Sequence, residues 1–367
     1  MTDLSNLTLV IPAYNRPAYL ARQIEYWAGS GVQLCILDGS KEKAPNSVIA
    51  QMDETVHYEY MPIGFNERLV HASNIVKTKY VALLGDDELY VKQGLRDCLD
   101  LLDTDQRLIG CVGRSLFFFH REGEICGHQV YGKSQDVPGM HDDDLRRLRN
   151  SFPQGDPSGA PYLLYGVFRK EHWCTMFGSA YSRHYSSGYV YELALLIIGA
   201  CLGPTKMVDS LVWLRSGENP AMSSAAVNRK ISTGEWGTSP EYVMEYEDFV
   251  QRITKVLARL GVASATDAEQ AVREVAEQFF AYSLHKPHRP IAYWHRVLYF
   301  AARNTPRWAK TLLKRNMTKT LGTVLDYKGV AFSDALVQLR DNGVEFNSEE
   351  MKELNEFLLA FHSTLES

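Results

Sequence analysis

Short apolar runs alternate with helical segments at the start of the chain, and this alternation constrains the fold more than any other sequence feature. Four β-rich apolar runs occupy residues 7–13, 34–37, 56–60 and 80–84. Three helical patterns follow the first, third and fourth of these runs, over residues 18–28, 66–77 and 91–103. Continuous apolar strands are typical of parallel sheets that are covered on both faces. The sequence therefore predicts an α/β fold, a mostly parallel mixed sheet flanked by helices.

The pattern changes after about residue 222. Before it, strands are predicted at 109–119, 162–168 and 208–215, helices at 170–177 and 192–201, and loops in the polar stretch 120–160. After it, the patterns are helical, at 240–260, 266–284, 291–302, 305–316, 332–342 and 348–364. We therefore predict an α/β domain over residues 1–222 and a helical C-terminal domain or appendage over residues 223–367.

Composition excludes several classes of protein. The formal net charge of −5 gives no overall attraction to nucleic acid, and no recognised nucleic-acid-binding motif occurs, so we predict no such partner. The six cysteines lack zinc-ligand spacing and are typical of buried thiols in a reducing compartment. With no signal-peptide pattern and no apolar run long enough to cross a bilayer, we expect a cytoplasmic protein, with peripheral attachment at the inner face of the membrane left open.

Acidic residues follow two of the predicted parallel strands. Asp38 ends the second, and Asp86-Asp87-Glu88 follow the fourth. Ligands of such sheets bind beyond the carboxyl ends of the strands. Adjacent carboxylates repel one another, and a divalent cation shared with substrate phosphates relieves that repulsion, although a helix cap is an alternative explanation. Asp38 is expected either to accept a hydrogen bond from a base or ribose or to form an ordinary Asp-Gly turn.

The loop after the first strand carries residues that suit a nucleotide. Tyr14 is of a type that stacks on a base, and Arg16 is of a type that pairs with phosphate. A plain strand-to-helix loop with an Asn cap is the alternative for this segment.

Several segments in this order are similar to one known family. They read VIPAYNRP at 10–17, DGS at 38–40, GFNERLVHASN at 64–74, YVALLGDDE at 80–88, YGVFRK at 165–170 and VWLR at 212–215. Together they resemble family-2-type glycosyltransferases of the GT-A fold over about residues 7–222. Several positions depart from that family, among them the C-terminal His of many relatives, which has no match near Gly217 and leaves Arg215 as the implied phosphate contact. Gly85 stands where the first Asp of its DxD motif is expected, and Ser73 stands where Arg is common, which leaves Arg68 or His71 to make that contact.

The resemblance implies a glycosyltransferase of surface polysaccharide synthesis. Such an enzyme moves a sugar from a nucleotide-sugar donor to a glycan or lipid-linked acceptor, with inversion, and uses Mn²⁺ or Mg²⁺. By position, it implies nucleotide contacts from Pro12, Tyr14, Arg16, Asp38, Arg68 and Asp86.

The same resemblance implies the reacting groups. Asp87 matches the metal ligand and Glu192 is the candidate base. A strict alignment, however, places Val190 at the base position and leaves Glu192 as an acceptor ligand. Asp156 and Arg215 are implied contacts of acceptor or phosphate.

Alternatives from the residues stay open. A nucleotidyltransferase also uses an α/β nucleotide fold with a carboxylate-bound metal, although no Gly-rich phosphate loop follows the first strand. A non-catalytic nucleotide- or glycan-binding protein on a decayed transferase domain is the third reading.

Residues 278–325 contain no Asp or Glu, and basic residues alternate there with aromatic ones. Segment 285–319 is therefore expected to contact an anionic membrane surface or to form a helical bundle, and a homo-oligomer is possible.

Overall fold

The computed structural model describes residues 3–130, 143–152, 163–219, 231–285 and 329–366. Its strands are β1 (Leu7–Ile11), β2 (Gln33–Asp38), β3 (Val56–Tyr60), β4 (Tyr80–Leu83), β5 (Leu89–Tyr90), β6 (Gly110–Arg121), β7 (Glu124–Val130), β8 (Val167–Arg169), β9 (Thr205–Ser216) and β10 (Val330–Ala331). Its helices are α1 (Pro17–Trp27), α2 (Asn46–Ile49), α3 (Phe65–Ile75), α4 (Lys92–Thr104), α5 (Asp144–Asn150), α6 (Lys170–Ala180), α7 (Tyr189–Leu202), α8 (Thr233–Thr238), α9 (Val243–Arg259), α10 (Ala265–His285), α11 (Phe332–Asp341) and α12 (Ser348–Glu366). The predicted α/β class, with a mixed sheet flanked by helices, is confirmed.

The first four strands form the parallel part of the sheet, in the order β3-β2-β1-β4. Beyond β4, β8 is antiparallel to β4 and β6 is antiparallel to β8, so β6 runs in the direction of β4. Strand β9 is parallel to β6. The carboxyl ends of β1, β2, β4 and β9 therefore lie at one edge of the sheet, which is where ligands of open α/β sheets bind.

Alternate residues of the parallel strands face opposite sides of the sheet. Val10 and Val81 belong to the core on one face, and Leu9 and Ala82 to the core on the other. Because both faces are covered by helices, all five residues of β1 are buried.

Helices from the C-terminal part of the chain complete both of these cores. Phe249 of α9 and Phe280 of α10 join the core that contains α6 and α7. Leu354 and Leu358 of α12 join the core that contains α1 and α4. The division at residues 222 and 223 stays a prediction, but the described helices beyond it share cores with the α/β part.

Several predicted elements differ from the structure. The strand predicted at 162–168 begins only at Val167, because a helical turn precedes it. The stretch predicted as loops contains β7, which pairs with β6 through a turn at Glu122 and Gly123, both with positive φ, and it also contains α5. The helices predicted at 291–302 and 305–316 lie outside the described residues, as does the proposed membrane segment beyond residue 285. No helix among the described residues combines the length and apolar character needed to cross a bilayer.

A carboxylate of the last helix caps α4 and gives a test of this packing. Glu350 accepts hydrogen bonds from the backbone N–H groups of Lys92 and Gln93, at 2.6 and 3.2 Å, while the N-cap residue Val91 supplies no side-chain bond. We predict that Glu350→Ala lowers the free energy of unfolding by about 1–2 kcal/mol, because two N–H groups lose their acceptor.

Urea denaturation measures this change. The control is Glu349→Ala, whose side chain is 71% exposed, and we expect a change within about 0.5 kcal/mol for it. Equal losses in the two variants would contradict the capping role of Glu350.

Candidate functional site

The loop after β1 is tied to the loop after β2. Asn15 adopts a φ of 54°, a left-handed conformation that Asn tolerates better than most residues. Its backbone N–H donates to Ser40 Oγ at 2.7 Å, and its side-chain oxygen accepts from the backbone of Lys41 at 3.0 Å. The two loops therefore form one rim at the carboxyl edge of the sheet.

Asp38 lies buried within this rim. One carboxylate oxygen accepts from the backbone of Ser40 at 3.0 Å, and the other accepts from the Tyr58 hydroxyl at 2.7 Å. Burial, with the Asp38 carboxylate as a second cause, raises the pKa of Tyr58, so the hydroxyl keeps its proton and donates it. The turn expected of Asp-Gly-Ser is thus present. Asp38 also lines a cavity of about 360 Å³ together with Arg16 and Lys43.

Arg68 lies behind the two loops. Its guanidinium donates to the carbonyls of Ala13 and Leu37, each at 2.7 Å, and only 2% of the residue is exposed. A Cβ at Gly39 would lie 2.5 Å from Arg68 Cζ, which explains the glycine in the turn. Arg68 thus stabilises the conformation of the two loops by hydrogen bonds to their backbone carbonyls. Its predicted contact with a nucleotide stays a prediction.

Asp86 and Asp87 share one arginine. Arg16 Nη1 lies 2.8 Å from Asp86 Oδ1 and 3.3 Å from Asp87 Oδ2. The backbone N–H of Tyr14 donates to Asp86, and the side-chain amide of Asn219 donates to Asp87 at 3.1 Å. Burial raises the pKa of Asp86 to about 6 and also raises that of Asp87. The pair thus already holds one cationic group, the guanidinium of Arg16, and Asp87 keeps part of its side chain exposed.

The Glu88 side chain accepts a hydrogen bond from the backbone of the same turn. Its Oε2 accepts from the backbone N–H of Gly85 and from Trp213 Nε1, both at 3.3 Å. Burial, followed by the charge of Asp87, raises the pKa of Glu88 to about 8. A Cβ at Gly85 would lie 2.9 Å from Glu88 Oε2. This contact gives a physical reason for the glycine where the resembled family has an aspartate.

The donor set at Asp86 and Asp87 fits a divalent cation. Mg²⁺ is commonly held by one or two carboxylates together with substrate phosphates, and these two carboxylates lie at a cleft. Within the described ranges, no group of three or more His, Cys, Asp and Glu side chains is arranged to hold a metal ion. Asp87 would be the more accessible ligand of the two, because its side chain is 13% exposed, against 2% for Asp86.

The cleft brings together predicted residues from distant parts of the chain. It has a volume of about 570 Å³ and lies at the ends of β4 and β9 and at the first turn of α7. Among its lining residues are Pro12, Arg16, Asp86, Asp87, Glu192 and Arg215. Arg16 also lines the cavity at Asp38, so the two spaces meet there. Tyr14 is 37% exposed, and Asp156 lies outside the described residues.

A buried brace behind the acidic residues was not predicted from the sequence. Arg22 donates to the carbonyl oxygen of Asp87 at 2.6 Å and to Glu218 at 3.2 Å, and its guanidinium lies over the rings of Tyr19 and Phe361. The other oxygen of Glu218 bonds to His362 of α12. The last helix therefore holds the segment after β9 against the acidic turn.

Comparison with solved structures finds similarity to TarS from S. aureus. TarS residues 1–349 in complex with UDP-GlcNAc match with a TM-score of 0.49 and 12% identity, over 82% of this chain and 81% of that chain. A second structure of the same segment matches with a TM-score of 0.42 and 9% identity, over 76% and 90%. A longer TarS structure has a TM-score of 0.42 and 14% identity, over 77% and 53%. The sequence matches no protein-family model and no curated protein.

The brace gives a prediction for stability. We expect Glu218→Ala to lower the free energy of unfolding by about 3–5 kcal/mol, because it leaves the charge of Arg22 buried without its carboxylate partner. Urea denaturation at neutral pH measures the loss.

Glu345→Ala is the matched control, since Glu345 is an exposed glutamate in the same C-terminal part of the fold, and we expect a change within about 0.5 kcal/mol. A wild-type midpoint in Glu218→Ala would show that the brace does not stabilise the fold.

Proposed function

We propose that this chain is a glycosyltransferase that moves a sugar from a nucleoside-diphosphate donor to a hydroxyl of a glycan or lipid-linked acceptor, with inversion. One observation carries the proposal. A single cleft contains an acidic pair, two arginines and a carboxylate on a helix start, and it adjoins the cavity at Asp38. Such a transfer requires positive charge at the departing diphosphate and a base at the acceptor hydroxyl, and the cleft contains groups of both kinds.

The nucleoside is assigned to the cavity of about 360 Å³ at the rim. Asp38 and Ser40 offer hydrogen-bonding groups there, and Lys41 and Lys43 add positive charge. Arg16 stands where this cavity meets the cleft, so a diphosphate attached to the nucleoside would lie at the guanidinium.

The leaving group is the diphosphate, and its charge grows as the bond to the sugar breaks. Arg16 and Arg215 line the cleft and supply fixed positive charge. Asp87, with Asp86 beside it, would hold a Mn²⁺ or Mg²⁺ ion, which when bound neutralises the departing phosphates. Groups arranged in advance in a site shielded from water stabilise such charge strongly.

Glu192 is proposed as the base that removes the proton of the acceptor hydroxyl. It stands in the first turn of α7 and lines the same cleft as the acidic turn. Val190, which a strict alignment places at the base position, is fully buried in the apolar core. The geometry thus favours Glu192 as the acidic side chain that this turn presents to the cleft.

Donor binding tests the first half of the proposal. We expect a nucleotide-sugar, in the presence of Mn²⁺, to stabilise the protein by about 2.7 kcal/mol at roughly 100 times its dissociation constant. Thermal shift against UDP-, GDP-, dTDP- and CMP-linked sugars measures this. Calorimetric titration of Mn²⁺ with the nucleotide should show weaker ion binding in Asp87→Asn.

Asp209→Asn is the control for a loss of charge, since the Asp209 side chain is 64% exposed on β9. If no nucleotide-sugar shifts the melting temperature, the transferase proposal is wrong. If Asp87→Asn binds Mn²⁺ like the wild-type protein, the assignment of the metal ligand is wrong.

Turnover tests the second half. We predict that Glu192→Gln lowers kcat by about 100- to 10,000-fold while donor binding by thermal shift stays unchanged, because the amide cannot accept the proton. Glu171→Gln, on the exposed side of α6, should keep wild-type turnover.

Three results decide between the alternatives. Undiminished turnover in Glu192→Gln would exclude it as the base. Nucleotide binding without any transfer by the wild-type protein would favour a non-catalytic binding protein. Release of inorganic diphosphate from a nucleoside triphosphate and a sugar phosphate would instead identify a nucleotidyltransferase.

A further inference from the structure

A second cavity lies beside the cleft and has no part in the function proposed so far. Its volume is about 510 Å³. It is formed by the start of α3, by the segment between α6 and α7, and by residues 231, 241 and 242 of the C-terminal part. Phe65 lines both this cavity and the cleft. The two spaces are therefore neighbours that share a rim.

One layer of aromatic rings separates the cavity from the cleft. Tyr181 lines the cleft and Tyr191 lines the cavity, and their rings stack with centroids 5.1 Å apart and planes 7° apart. Tyr191 and Glu192 are consecutive in the first turn of α7, and they line the cavity and the cleft respectively. The candidate base and one wall of the second cavity therefore belong to the same helical turn, and Phe65 lies on the rim that the two spaces share.

The walls of the cavity are held in place by hydrogen bonds. The Tyr191 hydroxyl accepts from the backbone of Tyr185 at 2.9 Å. Glu245 of α9 accepts from the backbone N–H of Ser186 at 2.9 Å and from Trp236 Nε1 at 2.8 Å. A site whose side chains are fixed before binding loses less conformational entropy when a ligand binds. The C-terminal helices therefore supply the support for this wall.

The lining suits an uncharged sugar. Phe65 and Tyr242, which are both half-buried, offer aromatic surface for the C–H face of a pyranose, and the Ser186 hydroxyl, which donates to Glu245, can still accept a hydrogen bond from a sugar hydroxyl. Glu241 also lines the cavity, and no Lys or Arg does so among the described residues. His184 also lines the cavity, but its Nε2 lies 2.7 Å from Glu67 Oε1 and is already paired there. A phosphate or carboxylate would therefore meet the carboxylate of Glu241 without a free cationic partner among the described lining residues, which disfavours an anionic unit.

We propose that this cavity is a second acceptor subsite, which binds an uncharged sugar unit next to the unit that is glycosylated. The inference rests on the proposed transferase function and adds the class of acceptor. Residues of the C-terminal part, Glu241 and Tyr242, then contribute directly to acceptor binding.

The test measures binding to immobilised oligosaccharides of three kinds: neutral, phosphorylated and uronic-acid-containing. We expect the wild-type protein to retain neutral oligosaccharides, and Tyr242→Ala and His184→Ala to lower that affinity about ten-fold or more, as the loss of an aromatic or hydrogen-bonding contact in a small site does. Tyr242 is half-buried and the His184 side chain is 73% exposed, so both variants are expected to fold.

Met244→Ala is the matched control, because Met244 is 77% exposed two residues from Tyr242 and does not line the cavity. It should bind oligosaccharides like the wild-type protein, and all variants should keep the thermal shift with the nucleotide-sugar.

Retention of phosphorylated or uronic-acid glycans alone, no retention of any glycan, or wild-type affinity in both Tyr242→Ala and His184→Ala would overturn the inference. When the nucleotide shift is intact, these results overturn the subsite alone, whereas loss of that shift in the wild-type protein would overturn the proposed function itself.

Discussion

The site depends on one turn at the end of β4 that carries three consecutive acidic residues, of which Asp86 and Glu88 are buried and Asp87 is partly exposed to the cleft. Burying ionised groups costs several kcal/mol each unless they are paired. Arg16 pairs with Asp86 and Asp87, while Glu88 bonds to Gly85 and Trp213. Behind them, Gln23 donates to the backbone carbonyls of Asp86 and Glu88, at 3.0 and 2.6 Å. The turn is thus fixed from within the protein, and its remaining negative charge is directed at the cleft, where a cation and a diphosphate are proposed to bind.

The C-terminal part of the chain belongs to this arrangement in two ways. Through His362 and Glu350, α12 braces the segment after β9 and caps α4. Through Glu241, Tyr242 and the helix that carries Glu245, it forms one side of the second cavity. The described C-terminal helices, which the sequence predicts as a domain or an appendage, therefore share cores and a network of charged side chains with the α/β part.

Sequence patterns were sufficient for the parts of the site that depend on local order. Each of β1, β2 and β4 is a continuous apolar run, and parallel pairing places Asp38 and the acidic turn at one edge. Sequence patterns do not identify contacts between residues that lie far apart along the chain. In the sequence, Arg22 looks like any charged residue of a surface helix, because its partner Glu218 lies 196 positions away along the chain. The sequence pattern does not indicate strand β7, because its apolar residues are few and the turn before it is polar.

A structure of the protein with a nucleotide-sugar and Mn²⁺, in which anomalous scattering locates the ion, tests the central claim most directly. We expect the base or ribose in the cavity at Asp38, the ion within about 2.0–2.6 Å of an Asp87 carboxylate oxygen, as for hard divalent cations, and the sugar in the cleft facing Glu192. A nucleotide bound away from the acidic turn, or a sugar that cannot approach Glu192, would contradict it.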